Sequence, residues 1–306
     1  MSSHEPGGGR EIGRVGGDVA GPTLIVTVAV HGNEVAGVVA AQRVLARLRK
    51  DATPIRGDVV VLAGNAAAMA LGKRYQVKDL NRVWTTEKVD ALRARDPSLD
   101  DAEDREQREL LVHLDRAIER ARGPVFSLDL HTTSAAGYPF GIYDSEAEDA
   151  FAQRFPLATI RGLAAALAGV LSSYMGQRGA TALAVEGGQH DDPATIEHLD
   201  ATLTIALVAC GLVDVSALGR YASATRHLDA ARGDIPRAMR VVARYAIKRD
   251  DAFVMAPGFA NIARVRKGTL LATDARGPIH APTDGFVILP LYQGQGDDGF
   301  FFGREV

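Results

Sequence analysis

Two histidines and two glutamates stand where short apolar runs of this sequence stop, and together they could hold a divalent metal and move a proton. His31 and Glu34 lie in His31-Gly32-Asn33-Glu34, directly after the branched stretch Leu24 to Val30. A His and a Glu three residues apart, on the turn leaving a strand, can aim an imidazole nitrogen and a carboxylate at one point. His131 follows a second such stretch, Val125 to Leu130, and becomes a third ligand if the two strands are close in one sheet. Two histidines and one glutamate with a fourth position open are the ligand set of catalytic rather than structural zinc, one ion per chain. A lone HxxE is a weak pattern, and a strand-end histidine is often only a hydrogen-bonding turn residue. The second strand-end histidine is what raises the metal reading above that one.

A third run, Thr181 to Val185, ends in Glu186-Gly187-Gly188. Zinc hydrolysis needs a carboxylate beside the attacking water to take its proton and pass it to the leaving nitrogen, and Glu186 is the candidate. Asp129 alternates onto the same strand face as His131; it is either an acceptor that orients a metal-bound imidazole or a turn or cap residue, and both readings stay open. The segment Arg74 to Trp84 is polar and carries arginines that no core element requires. Arginine binds a carboxylate through a planar fork, so Arg74 and Arg82 are candidates for gripping an anionic substrate, with Asn81 a further donor. The alternative is an ordinary solvated face.

These residues need a sheet to bring them together. From about residue 22 to 215 short apolar runs alternate with segments of helical period, the pattern of an α/β domain on a mainly parallel sheet. Strands are expected at Leu24 to Val30, Asp58 to Ala63, Val125 to Leu130 and Thr181 to Val185. Helices are expected at Val35 to Arg49, Glu103 to Arg122 and Pro193 to Ala209, the second so charged that it should cover an outer face, and Asp90 to Asp104 reads as a surface excursion. Ligands bind at the carboxyl edge of such sheets, which is where His31, His131 and Glu186 fall. After Leu218 helical periodicity gives way to short strand-like pieces between turn signals such as Ala256-Pro257-Gly258 and Asp284-Gly285. Two units are therefore expected: an α/β domain over 1–218 and a small all-β domain over 219–306, with Leu218 to Asp234 as linker.

The chain of 306 residues is 46% apolar, enough for a full core, and its formal charge of -3 with mixed signs makes nucleic acid an unlikely general partner. The amino terminus lacks the basic start and apolar stretch of a secretory signal, and no apolar run is long enough to span a bilayer. The single cysteine, Cys210, reads as a buried inert thiol. A cytoplasmic protein with no membrane partner is the expectation; a homo-oligomer is compatible with it. Gly294 to Gly299 fits GxGxxG, but only seven residues follow, too few for a dinucleotide fold. His190, close to Glu186, is read as an exposed residue, and Lys267 does not make a clear carrier hairpin.

Taken in order, His31-Gly32-Asn33-Glu34, Arg74 with Asp79-Leu80-Asn81-Arg82, Asp129-Leu130-His131 and Glu186 resemble the motifs of the aspartoacylase and succinylglutamate desuccinylase family. The resemblance runs from the first strand to the closing segment Tyr292 to Phe301. It implies a fold like that of the zinc carboxypeptidases, with a mixed sheet flanked by helices and an added C-terminal β-domain. It implies zinc on His31, Glu34 and His131, substrate contacts from Arg74, Asn81 and Arg82, and Glu186 as general base. Arg82 would also polarise the scissile carbonyl. Arg178, one turn after Tyr174, resembles a family residue that holds the amino-acid carboxylate, and Tyr292 is a candidate to reach over the site mouth. The implied substrate is a small carboxylated N-acyl amino acid. Ala29-Val30 stands where the family often has Gly-Thr, and Ala66 where it often has proline. Thr132-Thr133-Ser134 replaces the Asn-containing turn of aspartoacylase proper, so N-acetylaspartate is not assured as substrate. Competing readings are a carboxypeptidase-like or other amide or ester hydrolase, and a catalytically silent protein that binds a carboxylated metabolite.

Overall fold

The computed structural model describes residues 10–306; the amino-terminal stretch in which no secretory signal is expected lies outside the described residues. An eleven-stranded mixed sheet runs in the order Glu11–Gly16, Asp58–Ala63, Thr23–Val28, Val125–Thr133, Thr181–Gln189, Phe140–Tyr143, Ala158–Arg161, Ala238–Ala246, Asp298–Glu305, Gly285–Ile288, Ala263–Val265. Its centre is parallel: Thr23–Val28 pairs in parallel with Asp58–Ala63 on one side and Val125–Thr133 on the other, and Val125–Thr133 pairs in parallel with Thr181–Gln189. A strand buried on both faces should be branched and apolar throughout. Accordingly Leu24, Val26 and Val28 enter one core cluster while Ile25 enters the other, and Val59 and Val61 divide from Val60 and Leu62 in the same way.

Helices close both faces. Ala36–Lys50 and Pro193–Ala209 contribute to the first cluster, the latter started by Pro193 in its first turn and by Asp192, whose side chain accepts from Ala194 N. Ala102–Glu119 lies on the opposite face. It covers that face through Leu110, Leu111 and Leu114, and its Glu103, Asp104, Glu106 and Gln107 are buried as well. The Asp90 to Asp104 stretch is also more ordered than an excursion, with helix Thr86–Ala94 and the short turn Pro97–Leu99.

The expected linker is a helix, Tyr221–Arg232, whose Ala224 and Leu228 pack into the α/β core. Beyond it most strands join the central sheet. Ala238–Ala246 pairs in parallel with Ala158–Arg161, so the strands at 238–246, 298–305, 285–288 and 263–265 extend the central sheet. A separate three-stranded antiparallel sheet, Gly277–His280, Leu270–Asp274 and Val254–Met255, supplies the small β-layer. This continuation brings the last strand and the loop before it to the carboxyl edge where His31 and His131 lie.

Candidate metal centre

The chain leaves its strand through Ala29, at φ 51°, a left-handed conformation rare for a residue with a side chain. Gly32 then runs so close to a neighbouring segment that a Cβ would lie 2.3 Å from the backbone N of Met69, and its N–H donates to Arg74 O at 3.0 Å. Only glycine fits there, and the contact sets Arg74 beside His31. The loop that carries Arg74 is fixed from beneath. The buried Glu103 carboxylate accepts from the backbone N–H of Gln76 at 2.7 Å, Val77 at 2.9 Å and Lys78 at 3.2 Å.

His31, Glu34 and His131 are buried, and one ligand atom from each lies within 4.8 Å of the others. The His31 Nδ1 is 2.8 Å from Glu34 Oε1, and the His131 Nδ1 is 3.0 Å from Glu34 Oε2. Each ring is held from behind through its other nitrogen: His31 Nε2 by Asp79 Oδ1 at 3.0 Å, and His131 Nε2 by Asp129 Oδ2 at 2.9 Å. Asp129 in turn accepts from the Thr27 hydroxyl at 2.6 Å. Asp79, part of a motif but not singled out by the sequence, thus does for His31 what Asp129 does for His131. A carboxylate behind a histidine fixes its tautomer and strengthens it as a metal donor.

Electrostatics agree with a cation at the centre. Despite burial, His31 and hydrogen bonds from both histidines hold Glu34 well below the usual carboxylate range. Burial likewise opposes the charged form of His131, yet Asp129 and Glu34 keep it well above the ordinary imidazole value. Both directions mark surroundings that favour positive charge, as a bound divalent ion would supply. Donor types, convergence and backing carboxylates all fit zinc.

Glu186 stands beside His131. The two are register partners on neighbouring parallel strands, so their side chains share a face. Its Oε2 is buried with no hydrogen-bond partner, and burial, with Glu34 adding to it, pushes the carboxyl up to about 8. It lines one cleft with His31, Glu34, Arg74, Asn81, Arg82 and His131. Arg74 donates to Asp79 Oδ2 at 2.9 Å and lies 3.5 Å from Glu34 Oε1. Asn81 accepts from Leu171 N at 2.8 Å and has its Nδ2 3.5 Å from His131 Nε2. Arg82 is one step further out, donating to Asn81 O at 2.9 Å and to Asp298 at 3.0 Å.

Two expected residues lie elsewhere. Arg178 donates to Asp115 at 2.7 Å and to the Tyr174 hydroxyl at 2.8 Å, and it does not line the cleft. The half-buried Asp115 carboxylate on helix Ala102–Glu119 has captured it. Tyr292 is 40% exposed, and its hydroxyl donates to Ala256 O and accepts from Phe259 N, so it fastens the C-terminal β-layer rather than covering the mouth. Its neighbours Leu291 and Gln293 line the cleft instead, with Asp297 and Asp298. His190 is engaged at the rim, its Nδ1 2.6 Å from the Thr132 hydroxyl and its Nε2 3.3 Å from Gln293 Oε1.

The class is now defined: a mixed α/β sheet whose carboxyl edge carries two imidazoles and a carboxylate close enough together that they could hold a metal ion, with a second buried carboxylate beside them. The chain belongs to the succinylglutamate desuccinylase/aspartoacylase family, whose catalytic-domain model matches residues 20–207, a family of amide-cleaving deacylases. Succinylglutamate desuccinylases of Burkholderia pseudomallei (strain 1710b) and Pseudomonas syringae pv. tomato are each 28% identical to it. The first alignment covers 82% of this chain and 70% of the relative, the second 83% and 73%. Among solved structures, a succinylglutamate desuccinylase/aspartoacylase from Rhodobacter sphaeroides superposes with TM-score 0.67 at 20% identity, covering 96% of this chain and 88% of that one. The product-bound ectoine utilization protein EutE (DoeB) from Ruegeria pomeroyi gives TM-score 0.67 at 19% identity over 95% and 87%. At such identities the structures establish the shared fold.

Proposed function

We propose that this chain is a zinc-dependent hydrolase, one ion per chain, that cleaves the amide of a small N-acyl amino acid. The observation that carries the reading is the unpartnered Glu186 carboxylate oxygen, buried in the same cleft as the converging His31, Glu34 and His131. A buried carboxylate without a partner is costly unless a ligand or reaction uses it.

His31, Glu34 and His131 would hold the metal, which when bound supplies Lewis acidity toward the amide carbonyl and the attacking water. Every other part falls to the chain. Glu186 takes the proton of the water as the new C–O bond forms, then delivers it to the nitrogen as the C–N bond breaks, giving a carboxylate and an amine. Arg74, held by Asp79 and 3.5 Å from the ligand Glu34, is the arginine placed to stabilise the oxyanion, a role the resemblance assigns to Arg82, which is held by Asp298. Asn81 and Arg82 then face the substrate's polar end. The single buried Cys210 is compatible with a reducing cytoplasm, and among the described residues no helix is long and apolar enough to cross a membrane.

A screen of N-acetyl and N-succinyl amino acids against zinc-loaded and chelated protein tests the reading. Turnover of at least one amide, abolished by chelation and restored by zinc, is expected. Peptide cleavage with no acyl-amino-acid turnover would instead favour a carboxypeptidase-like activity.

A further inference from the structure

The cleft's lining is of two kinds. Beside the metal ligands and arginines it includes a piece of hydrophobic core: Ile142, Leu163, Val170 and Phe301 are buried members of one apolar cluster, and half-buried Leu167 packs against it. Helix Leu163–Leu167, strand Phe140–Tyr143 and strand Asp298–Glu305 supply most of it, so the wall is rigid scaffold rather than mobile loop.

The cationic side is sparse. Among the described residues lining the cleft, Arg74 and Arg82 are the only arginines or lysines, and both are already paired, Arg74 with Asp79 and Arg82 with Asp298. Glu34, Glu186, Asp297 and Asp298 stand against them. Arg178, which could have anchored another carboxylate, is outside the cleft with Asp115. A substrate with two or three carboxylates would set them among four acidic side chains, with only two arginines, both already paired, and neutral donors such as Asn81, Ser134 and Gln293 to receive them, and would lose more hydration than it regains. An aliphatic group on the same wall leaves water favourably.

We propose that this wall is the specificity subsite and takes an aliphatic group of the substrate, which carries a single carboxylate. The inference rests on the amide-hydrolase reading and narrows its substrate class away from dicarboxylic acyl amino acids. The aliphatic group belongs either to the acyl chain or to the amino-acid side chain.

The test compares kcat/KM of the zinc-loaded protein for N-acetyl-leucine, N-hexanoyl-glycine, N-acetyl-aspartate and N-succinyl-glutamate. One of the first two should exceed both of the others by about tenfold or more, and which one does identifies the group on the wall. Leu167→Lys sets an ammonium at the half-buried rim and should lower that preference by about tenfold. Leu167→Ala, a milder change, should slow the apolar substrates selectively. Preference of the native protein for N-succinyl-glutamate or N-acetyl-aspartate, or an unchanged ratio in both variants, overturns the inference while leaving the hydrolase reading intact. If no amide is cleaved the hydrolase reading falls, and calorimetry of hexanoate against succinate on the zinc-loaded protein decides the subsite. Tighter hexanoate sustains it; tighter succinate, or binding of neither, overturns it.

Discussion

Arg82 and Asp298 meet at 3.0 Å although 216 residues separate them in the chain. The same carboxylate accepts from Arg244 Nε at 2.5 Å, so one nearly buried acid on the last strand ties a cleft arginine to the outer sheet. Asp298→Ala removes the counter-charge of both guanidiniums and is expected to lower the unfolding free energy by about 1–3 kcal/mol. Urea denaturation measures this. A loss below about 0.5 kcal/mol would mean that the pair contributes no more than an ordinary surface contact.

Glu186→Gln keeps the shape of the side chain and removes its capacity to accept a proton. The expected loss in kcat is about 10²- to 10⁴-fold, with zinc content and KM little changed. Turnover kinetics paired with metal analysis separates this role from a ligand role. Zinc lost together with activity would mean that Glu186 holds the ion, and unchanged turnover would mean that the base lies elsewhere.

Asp129 and Asp79 each back one of the two histidines. Asp129→Ala and Asp79→Ala should each weaken zinc binding by about 10–100-fold, measured by competition with a chromophoric chelator. Asp79 also anchors Arg74 at 2.9 Å, so its removal should cost turnover even at saturating zinc. Equal activity of the two variants once zinc is saturating would show that the Arg74 contact is immaterial.

The parts of the site readable in the sequence are those whose position follows from the sheet itself. His31, His131 and Glu186 follow branched runs that form adjacent parallel strands, and the register sets His131 opposite Glu186. Helix Pro193–Ala209 was legible to the residue because Asp192 and Pro193 mark its start. What the sequence does not show depends on partners distant in it. The i, i+4 pair Tyr174 and Arg178 shows in the sequence, but nothing there says that Asp115 would draw the guanidinium to the surface. Asp298 sits at the end of a glycine-rich loop that a local reading can only discount. Its role follows from sheet continuation past residue 238, which is a pairing of edges rather than a pattern along the chain. Helix Tyr221–Arg232 has a signal of its own in the sequence: Leu218, Tyr221, Ala224 and Leu228 recur at helical spacing and pack on the α/β core.

The central claim is that His31, Glu34 and His131 bind one zinc on which amide cleavage depends. Stepwise return of zinc to the chelated protein, with bound metal and turnover of an N-acyl amino acid followed together, tests it most directly. Activity should rise in proportion to bound zinc and stop at one equivalent per chain, and Glu34→Ala should abolish both. Full activity of the metal-free protein, or undiminished zinc binding by Glu34→Ala, would contradict it.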